Sequence, residues 1–478
     1  MDASPRGIGS TATKRRSTRT TRTAKPKPKG AADERGIDTS SQLKLWLRKY
    51  RKTKRPVKVN FRRAVSWIPS GDGATHYIHP YPGKLLPQIA HFFTHASMLS
   101  MPGDVVLDPF AGTGTVSLEA VLAGRNAIAF DTNPLAVLVA AVKTCRISRR
   151  SLSVGMRRLN ERLALRRLAP LPSVVNLNLW FEPKVVRSLR ELLYAIEAER
   201  SIPIRNFLLV CFSVLCRRVS RCDPRLSVPV RLKKKRRKSS KTRQESPRKT
   251  FREVVKQNVE RMREFTRLAG EDASSRVVCG DARRIMDEPR RGDVPGFQLQ
   301  PESVQLIVSS PPYGGAQKYV RASSLSLGWL RLASVSGLRE LEDKCIGREH
   351  FHKSRYTRLQ QTQIPSADAI LQKIARRDRL RACISGTYLR EMHVACRQMT
   401  NALKPGGYLV LIIGNNMVTR LPFFTNRYLT KMLLQSGLEL QARLIDDIRS
   451  RGLMTKRNRT ASVISREWVL LFRKPNVA

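Results

Sequence analysis

The sequence has no apolar run long enough to span a membrane as a helix, and its basic opening residues lead into no apolar stretch. A helical membrane anchor and a secretory leader are therefore not expected. Carboxylates are scarce. Asp and Glu number 37 against 90 Lys and Arg, a formal charge of +53. Self-repulsion on that scale works against a compact state unless polyanions neutralise it. A nucleic acid is thus the expected partner, ahead of an anionic membrane surface. The expectation is a soluble, cytoplasmic, nucleoid-associated chain. Metal-binding spacings are also missing. Of the eight cysteines, Cys211, Cys216 and Cys222 lie too far apart for a zinc knuckle and have no His beside them. They read as buried or idle thiols in a reducing compartment. His91 and His95 stand four apart, but no Glu follows His91. Packing on a helix face is the expectation, with no metal. No repeat of fixed period is visible.

The folded part is expected from residue 76 onward. Residues 1–40 are rich in Ser, Thr, Lys, Arg, Pro and Gly, and read as a disordered basic tail. Residues 41–75 read as a basic arm with one helix and an extended piece. Strand and helix signals then alternate. Val105–Asp108 and Asn126–Asp131 read as strands, Thr115–Ala123 and Pro134–Lys143 as helices. Residues 76–150 thus form one half of a parallel α/β unit. Residues 151–270 break the alternation with helix-spaced apolar residues and read as a helical insertion. It carries a basic loop with the run Lys233, Lys234, Lys235, Arg236, Arg237, Lys238. Its last helix is expected to open at Thr250 and Glu253, which stand at capping-box spacing. The sheet resumes over 271–478, at Arg276–Cys279, Val304–Val308, Gly407–Ile413, Leu438–Ile445 and Glu467–Arg473. An irregular stretch is expected over Ala322–Arg381. The fold class is therefore α/β, Rossmann-like, with a mostly parallel seven-stranded sheet and a helical insertion.

Two stretches carry the chemistry. In the first, the apolar strand Val304–Val308 runs into Ser309-Ser310-Pro311-Pro312-Tyr313. Two prolines fix their φ angles and cannot donate to a ladder, so the chain leaves the sheet stiffly. A hydroxyl, proline carbonyls and an aromatic ring then stand at the strand's carboxyl end, where open α/β sheets bind ligands. In the second, Asp108-Pro109-Phe110-Ala111-Gly112-Thr113-Gly114 is a glycine turn ahead of a helix. It lets a ligand approach the backbone and points free N–H groups at it. A dinucleotide fingerprint wants a third glycine where Ser117 stands. Asp131, ending the second strand, suits ribose hydroxyls in either fold.

These stretches resemble the S-adenosylmethionine-dependent amino-methyltransferases of DNA. SSPPYGG, Ser309 to Gly315, resembles the Ser-Pro-Pro-Tyr form of the cytosine-N4 type. DPFAGTGT, FDTNPLA (Phe130–Ala136), VVCGDA (Val277–Ala282) and HPYPGKLLP (His79–Pro87) resemble the segments around the family's cofactor. The resemblance covers roughly His76–Lys143 and Arg276 to the end. It implies that Asp108, Phe110, Ala111, Gly112 and Gly114 surround the methionine part of S-adenosylmethionine. Asp131 would take the ribose and Asp281 the adenine amino group. Ser310, Pro311, Pro312 and Tyr313 would be catalytic, receiving a cytosine flipped out of DNA. The absence of a Pro-Cys dipeptide argues against carbon-5 methylation, which in that family uses such a cysteine. The implied activity is sequence-selective N4 methylation, in restriction-modification or regulation, with or without a partner nuclease. Three alternatives stay open: an adenine-N6 enzyme, usually with Asp in place of Ser310; an RNA base methyltransferase; and a non-catalytic DNA-binding protein. Lys233–Lys238 would touch phosphates, and the insertion would recognise the target, with Ala322–Arg381 as the second candidate.

Overall fold

Short apolar runs with β-branched residues set the sheet. In chain order the strands are β1 (Val57–Val59), β2 (Val105–Asp108), β3 (Asn126–Asp131), β4 (Ser275–Cys279) and β5 (Val304–Ser309). Then come β6 (Leu403–Ile413), β7 (Asn416–Val418), β8 (Leu421–Phe423), β9 (Glu439–Asp447) and β10 (Arg466–Arg473). The computed structural model describes residues 36–68, 73–232, 246–287, 297–314, 318–357, 359, 361–448 and 465–476. The basic run Lys233–Lys238, Gly315 and most of the tail expected over 1–40 lie outside the described residues.

Eight strands form one sheet in the order β1-β9-β10-β6-β5-β2-β3-β4, and β7 pairs with β8 apart from it. Only β10 runs antiparallel to its neighbours. The sheet is mostly parallel, as expected, but has one more strand than expected. Val57–Val59, in the arm, pairs in parallel with β9 at Leu444–Asp446. Three residues are too few to show a strand period in the sequence.

Alternation along the strands sends side chains to two covered faces, as parallel sheets require. Val106, Leu306, Val308, Val410 and Leu471 pack with Phe61, Phe92 and Val116 on one face. Leu107, Ile307, Leu409, Leu411 and Leu470 pack with Leu389, Met392 and Leu429 on the other. A third core joins helices Arg149–Ala164, Pro183–Glu197, Ile202–Val219 and Pro247–Leu268 to Pro134–Lys143 and Tyr319–Trp329. The helix Pro247–Leu268 starts three residues ahead of Thr250, with Ser246 at its N-cap and Pro247 in the first turn. A proline there costs no helical hydrogen bond, so it displaces the capping box as the start. The stretch expected to be irregular, Ala322–Arg381, instead holds most of Tyr319–Trp329, then Gly337–Lys344 and Pro365–Ala375. The helix expected from Met392 begins at Arg379.

Strands β2, β3 and β4 step outward in one direction, and β5 returns to the other side of β2. The carboxyl ends of β2 and β5 therefore flank a topological switch point, where such sheets leave a crevice.

Candidate active site

A cleft with about 890 Å³ of empty space, open to solvent, lies at this switch point. Asp108, Phe110, Ala111, Gly112, Asp131, Asp281, Ser310 and Pro312 line it. Gly114, Pro311 and Tyr313, also expected at the site, are not on its wall.

The turn after β2 is held by its backbone. Ala111 N–H donates to the Phe130 carbonyl at 2.9 Å and Gly114 N–H to the Ala111 carbonyl at 2.8 Å. Gly112 and Gly114 have φ of 51° and 71°, a region that disfavours a β-carbon. Gly114 caps the helix Thr115–Leu122. A β-carbon on it would stand 2.9 Å from the Ala140 β-carbon. Gly114→Ala is therefore expected to lower stability by about 1–2 kcal/mol through the backbone alone. Crowding against Ala140 adds to this. The midpoint of urea denaturation measures it, and an unchanged midpoint would mean the turn relaxes freely.

Two carboxyl groups sit at the strand ends. Asp131 Oδ2 accepts Gly112 N–H and its Oδ1 accepts Asn133 N–H, both at 2.8 Å. Burial pushes Asp131 up to about 6, against the pull of those two N–H groups. Asp108 Oδ1 accepts the Ser309 hydroxyl at 2.6 Å and Phe110 N–H at 3.1 Å. Burial pushes it up to about 7. Asp108 thereby ties the end of β2 to the end of β5 and fixes where Ser310 begins. Asp281 lines the cleft from beyond β4, but Arg283 already pairs with its carboxylate. Arg283 also donates to Glu391 at 2.8 Å and to the Lys344 carbonyl at 3.0 Å.

Ser310 and Pro312 face the cleft, whereas Pro311 is buried. The Tyr313 ring is half-buried against the core that holds Tyr388. It shares a hydrogen bond with the Ser310 side chain, and burial raises its phenol well above the usual value.

Several wall residues were not singled out from the sequence. Asn133 Nδ2 donates to the Tyr81 hydroxyl at 3.0 Å, and Tyr81 stacks on Tyr319 at 6.2 Å. Both Tyr81 and Asn133 sit inside the segments that carry the resemblance, which was the available signal. Tyr319 and Cys345 belong to helices the apolar spacing did not reveal. Lys84 Nζ donates to the carbonyls of His76 at 2.8 Å and His79 at 2.7 Å. Burial lowers the ammonium to about 8, so it stays largely charged near neutrality. It clamps the His79–Lys84 turn over the cleft.

His91 and His95 are buried with their rings stacked at 3.7 Å. Glu119 holds His76 at 2.6 Å and His91 at 2.9 Å. Among the described residues, His91, His95 and Glu119 are the one group close enough to share an ion. The Glu119 carboxylate is already taken up by two imidazoles, which fits a packing network. Among the described residues no helix is long and apolar enough to cross a membrane.

A family model described as "DNA methylase" (N6_N4_Mtase) matches residues 21–142. The type II methyltransferase M.MvaI of Kocuria varians is 22% identical over 377 residues, 75% of this chain and 80% of that protein. The type II methyltransferase M.MjaII of Methanocaldococcus jannaschii is 40% identical over 70 residues, 14% of this chain and 12% of that protein. Among solved structures, a DNA modification methylase of Thermus thermophilus, TTHA0409, complexed with S-adenosyl-L-methionine, is 18% identical. The match covers 42% of this chain and 55% of that one, with a TM-score of 0.22. The rRNA methyltransferase aviRa of Streptomyces viridochromogenes is 13% identical over 87% of this chain and 96% of that one, with a TM-score of 0.31. The family model and the two type II relatives together support a DNA methyltransferase of the N6/N4 class, enzymes whose methyl donor is S-adenosylmethionine.

Proposed function

We propose that this chain transfers a methyl group from S-adenosylmethionine to the exocyclic N4 of cytosine in DNA. The observation that carries the reading is the Ser310-Pro311-Pro312-Tyr313 turn. It leaves β5 beside the glycine turn of β2, and Ser310 faces the cleft between them. In this reading Asp108 and Phe110 to Gly114 hold the methionine part of the cofactor, and Asp131 holds the ribose. Asp281 takes the adenine amino group with a lone pair not used by Arg283.

An exocyclic amine is a poor nucleophile because its lone pair is delocalised into the ring. Acceptors beside its hydrogens draw the nitrogen toward a tetrahedral shape and free that pair. The Ser310 oxygen and the Pro311 carbonyl supply them. The methyl group then passes in line from sulfonium to nitrogen, so catalysis rests on positioning and electrostatics. No covalent intermediate on the protein is needed. The target base leaves the duplex to reach the cleft, at a cost of a few kcal/mol offset by stacking and hydrogen bonds. The helices between residues 149 and 268 carry target recognition, because additions to a rigid scaffold are where recognition is placed.

Nucleoside analysis tests the reading. Unmethylated plasmid DNA treated with the protein and S-adenosylmethionine is expected to yield N4-methylcytosine on digestion. Finding N6-methyladenine would change the base and keep the enzyme class. Methyl groups on structured RNA, with duplex DNA untouched, would remove DNA as substrate.

A further inference from the structure

A second cleft, with about 820 Å³ of empty space, opens beyond Lys84. Lys84, Leu85 and Thr115 line both clefts and form the wall between them. Its other walls include Arg62, Tyr77, Asp446 and Glu467. Asp446 and Glu467 are direct partners across the antiparallel β9–β10 pair. Like charges directly opposite one another destabilise a sheet, so this placement is costly unless one group is neutral. Glu467 meets that condition. Burial first, then Asp446, pushes its carboxyl up to about 7, and Arg62 only partly offsets them. Among the described residues its side chain has no hydrogen-bond or ion-pair partner. The residue that connects this group to the chemistry is Tyr313. Its phenol lies within the field of Glu467 and shares a hydrogen bond with Ser310.

We propose that the second cleft receives the hydrogen-bonding edge of the target base, with Glu467 as the side chain that holds that edge. The proposal rests on the methyl-transfer reading above and names a binding residue that reading lacks. A neutral carboxyl offers one acceptor and one donor on adjacent atoms. A base with an amino group beside a ring imine nitrogen presents the complement. The Glu467 carbonyl oxygen accepts one amine N–H and its O–H donates to the ring nitrogen. The second amine N–H remains for Ser310 and Pro311. The amine is then fixed from two sides, with its lone pair free to meet the methyl group across the Lys84 wall. Cytosine and adenine both carry such an edge.

The test uses the full chain and tritium-labelled S-adenosylmethionine, with unmethylated plasmid DNA as acceptor. KM is measured for each substrate separately, and a thermal melt checks each variant. Glu467→Leu is expected to lower kcat/KM for DNA by about 100-fold, the scale of losing a buried pair of hydrogen bonds, with KM for S-adenosylmethionine within about twofold. Glu467→Gln keeps an acceptor and a donor on adjacent atoms and is expected to stay within about tenfold of the parent. Equal rates for Glu467→Leu and the parent would overturn the proposal. So would a matching loss in KM for S-adenosylmethionine, which would assign the cleft to the cofactor. Should Glu467→Leu melt at room temperature, Glu467→Gln decides: a folded but inactive glutamine variant also overturns it. If the parent protein itself methylates no DNA, the functional reading has failed, and not this assignment.

Discussion

Ser310→Ala is expected to slow methyl transfer by about 10²-fold or more, the scale of losing one hydrogen bond that strengthens in the transition state. Duplex binding should change little, because the amine in the ground state is planar and gains little from the acceptor. Single-turnover transfer under saturating DNA and cofactor isolates the step. The variant should also leave the fold intact. The neighbouring Ser309, not Ser310, ties β5 to Asp108. A rate equal to the parent's would take Ser310 out of the chemistry and leave the turn a rigid loop. Tyr313→Phe separates a second contribution. It removes the hydroxyl that bonds Ser310 while keeping the ring in its half-buried place.

Asp131→Ala should weaken S-adenosylmethionine binding by roughly 1.5–3 kcal/mol, about 10- to 150-fold in Kd, the range for a hydrogen bond to a charged group. The geometry adds a second source of loss. The same carboxylate holds Gly112 N–H and Asn133 N–H, so its removal also loosens the turn that meets the ligand. Titration calorimetry on the folded variant reads the effect, and an unchanged Kd would sink the assignment. The raised pKa gives a further signature. Ribose hydroxyls donate to the carboxylate form, so the ligand binds best when Asp131 is ionised. Affinity should hold above about pH 7 and decline as pH falls through about 6, by up to tenfold per unit. Asp131→Asn should flatten that decline. For the ligand-free fold the sign is opposite. A carboxyl raised from 3.8 to about 6 stabilises the folded state most below the lower value. That contribution is lost as pH rises through the interval.

The strands that form the site were legible because their residues are uniformly apolar and bounded by turns. Asn126–Asp131 and Val105–Asp108 have the same bounds in the sequence and in the fold. So does the helix Pro134–Lys143, which starts on a proline after Asn133. The helix Arg379–Ala402 was read from Met392 only. Its first half carries arginines and Gly386, and it is helical because Leu389, Ile384 and Gly386 pack into the core, with Gly386 facing Leu371. Tertiary contact there outweighs local propensity. At the site, Asp108, Asp131 and Ser310 were legible from strand-end position. The direction of Tyr313 was not, because two prolines fix the backbone angle but not the side to which the next ring turns. Nor could spacing reveal that Arg283 would occupy Asp281, or that Glu467 would oppose Asp446, since both depend on neighbours that only the folded chain supplies.

The short pairing of Val57–Val59 with β9 has a bearing on how the molecule behaves among its own copies. Without it, β9 would be the rim of the sheet, nine residues long with unmet N–H and carbonyl groups along one side. Such a rim is a template for a neighbouring chain. The arm places a three-residue strand there, with the exposed Lys58 at its centre and Asn60 turning the chain into a helix. A rim that short and cationic offers little for another sheet to dock on. The arm thus works as a stopper on the sheet. Trimming a chain of this net charge back to its cofactor-binding core would remove the stopper together with the basic residues, and would favour sheet-to-sheet association over solubility.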